Sequence, residues 1–83
     1  MGSSGTVRLS AVFKMLEHCA RDFTKRERVH NWVITFQEKE YPSLPKGPHG
    51  KPDPEIEKGH IKKMIKKLGI DMECAKQYLP LLR

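Results

Sequence analysis

Apolar residues repeat with a helical period near the beginning of the 83-residue chain. Steps of three and four place side chains on one face of a helix, and the residues that recur in this way are Leu9, Val12, Phe13, Leu16, Cys19, Ala20 and Phe23. The pattern predicts a helix from about Ser10 to Ala20, with Ser10 as its N-cap. The charged segment Asp22–Arg28 that follows favours a short strand or a connecting turn.

The period changes to two residues between Asn31 and Phe36, where β-branched and aromatic side chains alternate as they do in a strand. A second extended segment is predicted at Tyr41–Pro45. Its prolines confine it to a sheet edge, because they lack the N–H group that a ladder requires. The short connection between the two segments predicts antiparallel pairing.

A loop rich in proline and glycine is predicted from Pro45 to Glu55. The helical period then returns and predicts a second helix, which begins near Glu57 and ends at Leu68. An alternative start lies at Asp53, a typical N-cap residue followed by proline. Asp71 is the predicted N-cap of a third, short helix.

The predicted order of elements is helix, strands, helix, helix, without an internal repeat. The shared periodicities predict one core that contains Phe13, Leu16, Trp32, Ile34, Ile61, Met64, Ile65 and Leu68.

Size and composition narrow the possible classes of protein. The length suffices for one domain with a thin core, which we place at residues 6–83, and we interpret residues 1–5 as a cloning remnant. No segment resembles a membrane span or a secretory signal, so we expect a cytoplasmic protein without a membrane partner. Cys19 and Cys74 fall on helical apolar positions and are expected to be buried free thiols, and we expect no metal site and no cofactor.

The charge balance points towards a polyanionic partner. Sixteen Lys and Arg against ten Asp and Glu give a formal charge of +6, which suits a nucleic-acid backbone, although an acidic protein also fits. The second helix has only lysines among its charged residues on the side away from the apolar stripe, and such a face is either solvated or binds phosphate. The predicted RNA-binding residues are Lys62, Lys63, Lys66 and Lys67 on this helix, with Lys25, Arg26, Arg28 and Trp32 around the first strand.

His30 is the candidate catalytic residue. It precedes the strand that holds Trp32 and follows the basic pair Arg26 and Arg28. A neutral imidazole can take a proton from a ribose 2′-hydroxyl while Lys25, Arg26 or Arg28 holds the phosphate and stabilises its charge, and this chemistry needs no metal. A lone histidine is more often an ordinary surface residue, so this signal by itself is weak.

A longer motif covers the second half of the chain. It comprises Leu44-Pro45, Pro48-His49-Gly50-Lys51 and the segment Glu55–Ile70, which ends in Leu-Gly-Ile. A helix around Phe13 and a histidine that opens a strand, His30, precede it in the same order. Together these features resemble the HicA (YcfA-like) toxin family over most of the chain.

This resemblance implies an α+β fold like the double-stranded RNA-binding domain, in which helices pack on one face of a three-stranded antiparallel sheet, here with a short extra C-terminal helix. It also implies an mRNA interferase, which is a metal-independent ribonuclease neutralised by a HicB-like antitoxin. His30 maps onto the active-site histidine of the family. Two alternatives stay open: a noncatalytic RNA-binding module of the same fold, and a small DNA-binding domain that places its lysine-rich helix in a groove.

Overall fold

The computed structural model describes residues 5–47 and 53–83. Its elements in chain order are β1 (Thr6–Arg8), α1 (Leu9–Cys19), β2 (Thr24–Glu27), β3 (Asn31–Phe36), β4 (Lys39–Pro45), β5 (Glu55–Glu57), α2 (Lys58–Leu68), α3 (Met72–Tyr78) and a final 3-10 turn (Pro80–Leu82). The strands β2, β3 and β4 form an antiparallel sheet with β3 at its centre, and β1 pairs with β5 in a second sheet. The α+β order of helix, three-stranded antiparallel sheet and helix, with a short C-terminal helix, is confirmed.

The central strand β3 directs alternate side chains towards the helices. Ile34 lies opposite Tyr41 of β4, and Trp32 lies opposite Leu44. On β3 one residue separates Trp32 from Ile34, whereas on β4 two residues separate Tyr41 from Leu44. The extra residue on β4 forms a bulge there. The bulge keeps the apolar residues of both strands on the same face. β4 lies at the edge of the three-stranded sheet, where its prolines are tolerated.

The turn between β3 and β4 explains why β4 begins earlier than the sequence predicted. Gln37 and Glu38 both have positive φ, 52° and 68°. A two-residue hairpin loop of this geometry matches the twist of the strands it joins. Neither residue is the asparagine or glycine that favours such a turn, so the sequence contained no signal for it.

The second sheet starts both long helices. Leu9 N–H donates to the carbonyl of Pro54 at 2.8 Å, and Lys58 N–H donates to the carbonyl of Gly5 at 2.7 Å. Each helix thus follows its strand directly, and its first amide is satisfied by the chain beside the partner strand. The two strand–helix units, β1–α1 and β5–α2, are joined by the antiparallel pairing of their strands. The sequence shows no repeat between them.

The predicted cap of α1 is wrong. Ser10 lies inside the helix, where its N–H and its hydroxyl donate to the two carboxylate oxygens of Asp53, at 2.7 and 3.0 Å. Asp53 therefore caps α1 from a distant part of the chain and does not begin α2. Asp71 does cap α3, because its carboxylate accepts from the N–H of Glu73 at 3.0 Å.

The core lies between the three-stranded sheet and the helices. Six of the eight predicted core residues are buried, whereas Phe13 and Trp32 are half-buried at its rim. The buried residues that the sequence analysis did not name as core include Met15, Tyr41, Leu44, Ile56, Ile70 and Leu82. The core thus extends further towards β4, β5 and the C-terminus than the predicted set.

The expectation of free thiols is also wrong. Cys19 and Cys74 are half-buried and form a disulfide across a sequence separation of 55 residues. Both cysteines were expected to be buried, and each is only half-buried, Cys19 at the end of α1 and Cys74 within α3. The contact between these two helices, which the periods do not predict, brings the sulfur atoms together. Beside it, the rings of His18 and Tyr78 stack with their centroids 4.6 Å apart.

We predict that replacing both cysteines by serine lowers the free energy of unfolding under oxidising conditions by about 4 kcal/mol, the loop-closure entropy for this separation. Denaturant unfolding of the oxidised wild type and of Cys19→Ser/Cys74→Ser measures the difference. The wild type in excess reductant is the control and should match the variant. Equal stability of all three samples would show that the crosslink does not stabilise the fold.

Candidate nucleic-acid interface

His30 lies in the turn between β2 and β3, at the tip of a hairpin. The N–H of Arg28 donates to the carbonyl of Asn31 at 2.8 Å and closes the turn around Val29 and His30. Both turn residues are exposed, Val29 to 79%. The four residues of the turn and Pro42 line a shallow depression in the surface. The imidazole is thus accessible to a large substrate.

The structure brings two basic residues close to His30. Arg28 is in the same turn, and the N–H of Lys46 donates to the carbonyl of His30 at 3.3 Å. The Lys46 ammonium donates to the carbonyl of Arg28 at 2.9 Å and pairs with Glu27 at 2.7 Å. Lys46 could not be singled out from the sequence, because it lies in the predicted loop 16 residues after His30 in the chain.

Lys25 and Arg26 do not share this location. In β2, Lys25 lies opposite Ile34 and Arg26 lies opposite Val33. At roughly 3.3 Å per residue these strand positions lie about 13 and 10 Å from His30, and consecutive residues point to opposite faces of the sheet. The proposed cluster around His30 thus consists of Arg28 and Lys46, and Lys25 belongs to another part of the surface.

Lys25 lies over an aromatic pair on the helix side of the sheet. Its ammonium is 4.3 Å from the centroid of the Phe13 ring and 5.3 Å from that of Trp32. The two rings meet edge to face, with centroids 5.3 Å apart and an interplanar angle of 88°. Because Trp32 and Phe13 are half-buried, part of the indole is accessible beside Lys25.

The lysine face of α2 is exposed as predicted. Its members Lys62, Lys63, Lys66 and Lys67 are exposed, and within residues 5–47 and 53–83 none of them has a carboxylate within 4.0 Å. The apolar stripe of the same helix is fully buried against the core. α2 therefore presents a continuous positive surface to solvent, and this arrangement suits a row of phosphates.

A histidine–tyrosine pair was missed by the sequence analysis. Tyr41 of β4 and His60 of α2 share a hydrogen bond of 3.0 Å between the hydroxyl and Nδ1. Burial raises the pKa of the Tyr41 hydroxyl above its ordinary value near 10, so the phenol stays neutral. The pair joins α2 to β4 and orients the His60 ring. Only the tertiary packing reveals it, because 19 residues separate the partners.

Metal-binding clusters and membrane-spanning helices are both absent from the part of the chain that the structure describes. Residues 5–47 and 53–83 contain no group of three or more histidine, cysteine, aspartate or glutamate side chains arranged to hold a metal ion. None of the helices in these ranges has the length and apolar character needed to cross a membrane. His49, the other histidine that could act as a base, lies outside the described residues.

We predict that Tyr41→Phe lowers the free energy of unfolding at neutral pH by about 1 kcal/mol, because it removes one part-buried hydrogen bond. Above about pH 10 the unfolded tyrosine releases its proton before the folded one does, so Tyr41 makes the wild type lose stability as pH rises. The difference between wild type and variant should therefore shrink in alkaline solution. Chemical denaturation of both proteins at neutral pH and above about pH 10 tests this. A difference in the free energy of unfolding that does not change with pH would contradict it.

Comparisons with known proteins give no further guide to this surface. No family model, no curated protein and no solved structure matches the chain.

Proposed function

We propose that the protein is a metal-independent endoribonuclease of the HicA type, an mRNA interferase that cleaves RNA with His30 as general base. The observation that carries the proposal is the exposed His30 at the tip of the β2–β3 hairpin, with Arg28 in the same turn and the Lys46 backbone N–H bonded to the His30 carbonyl. General-base cleavage through a 2′-hydroxyl uses an accessible base and a cation that can reach the phosphate, and this turn offers His30 and Arg28 for these roles.

In the proposed reaction the His30 imidazole removes the proton of a ribose 2′-hydroxyl. The 2′-oxygen attacks the adjacent phosphorus, and the bond from phosphorus to the 5′-oxygen of the next nucleotide breaks. The leaving oxygen takes a proton from water or from the imidazolium, which leaves a 2′,3′-cyclic phosphate and a 5′-hydroxyl. The Arg28 guanidinium offers paired donors to the phosphate oxygens as negative charge grows on them.

The lysine face of α2 supplies affinity in this proposal. Phosphate contacts from lysine release counterions and carry no sequence information, so they hold any RNA. Lys62, Lys63, Lys66 and Lys67 serve this purpose because none is engaged by a carboxylate within the described ranges. RNA is accordingly the proposed substrate, and a HicB-like antitoxin is the proposed protein partner.

We place this activity in the cytoplasm, where mRNA is found. Reducing conditions there keep most cysteines as thiols, so Cys19 and Cys74 would be reduced in a protein that acts in that compartment. The fold would then depend on its core without the crosslink, and the serine variant described above reproduces this condition.

One observation favours the noncatalytic alternative. Lys46 is already paired with Glu27 at 2.7 Å, and Lys25 lies over the aromatic pair away from His30. Arg28 is then the one cation left near His30 that has no carboxylate partner in the described residues. A protein that binds RNA on α2 without cleaving it would fit this arrangement.

We predict that Lys62→Glu/Lys66→Glu weakens RNA binding by roughly 10-fold or more at low salt, about equally for different sequences, and reduces the salt dependence of binding. Fluorescence anisotropy of labelled RNA, titrated at several salt concentrations, measures both effects. Lys14→Glu/Arg21→Glu, which changes the same charge at exposed positions of and just after α1, is the matched control. Equal losses of RNA affinity in the two variants would show that binding depends on overall charge and not on the α2 surface.

We predict that His30→Ala lowers the rate of RNA cleavage by about 10²- to 10⁴-fold, because a positioned general base is lost. RNA affinity and thermal stability should change little, because an exposed turn residue contributes little packing. His18→Ala, at an exposed position of α1, is the control and should cleave at the parental rate. Cleavage at the parental rate by a folded His30→Ala would contradict the proposal and direct attention to His49.

A further inference from the structure

The inner face of β2 is not covered by a helix. All four residues of β2 are exposed, whereas the residues of β3 and β4 on the same face are largely buried in the core. The helical layer therefore covers two of the three strands. At its margin lie Phe13 and Trp32, with the Lys25 ammonium over both rings. We name these three residues the aromatic notch.

We propose that the aromatic notch receives an unpaired base of the RNA, which stacks on Trp32 while Lys25 moves from the rings to the backbone phosphate. This inference rests on the proposed function and extends it from a general RNA surface to a site for single-stranded RNA. It commits to a nucleobase because every base has a π-face that stacks on an aromatic ring.

The position of the notch supports a link with cleavage. Trp32 follows His30 by two residues, which is about 7 Å along an extended chain. A base on Trp32 therefore lies within one nucleotide of a phosphate at His30 and Arg28. In a duplex the bases are paired and stacked inside the helix, and they cannot reach an indole on the protein surface.

The charges around the notch favour a polyanion over a cationic side chain. Its own Lys25 is cationic, and Glu27, the carboxylate opposite Trp32 in the strand register, is paired with Lys46 at 2.7 Å. An arginine or lysine from a protein partner would displace Lys25 into a region that already carries excess positive charge. An RNA strand replaces the cation–π contact with base stacking and gives the released ammonium a phosphate.

Trp32 is the one tryptophan in the chain, so fluorescence excited at wavelengths that the two tyrosines do not absorb reports on the notch alone. The probes are a 2′-O-methyl uridine oligomer, which binds but lacks the hydroxyl needed for cleavage, and an RNA duplex of equal length. The oligomer should quench Trp32 fluorescence at concentrations where anisotropy of a labelled copy shows binding, and the duplex should bind with much less quenching. Equal quenching by both probes would overturn the proposal, because a duplex offers no unpaired base.

Variants test the energetic contribution of the notch by anisotropy. Trp32→Leu should bind the oligomer roughly 5- to 150-fold more weakly, the loss expected for one stacked base, whereas Trp32→Phe should retain most of the affinity. Binding without quenching, together with unchanged affinity of Trp32→Leu, would overturn the notch but leave the proposed ribonuclease intact. Quenching without cleavage of ordinary RNA would support the notch and remove the catalytic role of His30.

Two further outcomes also decide against the notch. If the wild type does not bind the oligomer at all, both the notch and RNA binding are refuted. If an arginine-rich peptide quenches Trp32 and the oligomer does not, the notch is a site for a cationic protein segment. Should Trp32→Leu fail to fold, the wild-type comparison of oligomer and duplex still decides the question.

Discussion

The pairing of β1 with β5 is the contact on which the rest of the structure depends. It joins residues 49 positions apart, as in the hydrogen bond of 2.8 Å from the Thr6 hydroxyl to Glu55. Val7 lies opposite Ile56 at the centre of the pair, and both contribute to the core. Because each strand runs directly into a helix, this short ladder also sets where α1 and α2 begin and where their apolar stripes lie. The sheet formed by β2, β3 and β4 then packs its apolar residues against those stripes.

The same arrangement separates the surface into parts with different chemistry. α2 turns its apolar stripe to β4 and the core, so its lysines are left in solvent without acidic neighbours in the described ranges. The β2–β3 hairpin extends beyond the helical layer, which exposes His30 and leaves the aromatic notch open. The disulfide between Cys19 and Cys74 ties the C-terminal helix to α1. Binding surface, proposed catalytic turn and covalent crosslink thus involve different elements.

Local patterns were sufficient to predict the main elements. The helical period predicted α1 and α2 to within one residue at either end, and α2 ends just before Gly69, whose φ is 72°. Contacts between distant residues were not predictable in this way. Asp53 was assigned to the helix that follows it in the chain, although its carboxylate caps α1, because nothing local indicates a partner 43 residues away. β1 and β5 are three residues each, too short to show a period.

The candidate site shows the same division between local and tertiary information. The exposure of His30 and of the lysines followed from their chain positions, but the neighbours of His30 did not. Lys25 was grouped with His30 because of proximity in sequence, and the strand register carries it away to the rings of Phe13 and Trp32. Lys46 and the pair of Tyr41 with His60 became visible only when β4 was placed against its neighbours. The sequence thus indicated which side chains are candidates for chemistry, whereas only the fold shows which of them lie close together.

The proposed cleavage of RNA through the 2′-hydroxyl requires no metal ion. Incubating a defined single-stranded RNA with the protein in excess EDTA, followed by mass analysis of the product ends, tests it most directly. We expect cleavage with a 2′,3′-cyclic phosphate on one product and a 5′-hydroxyl on the other. RNA that is bound but stays intact, or cleavage that appears only when a divalent metal is added, would contradict it.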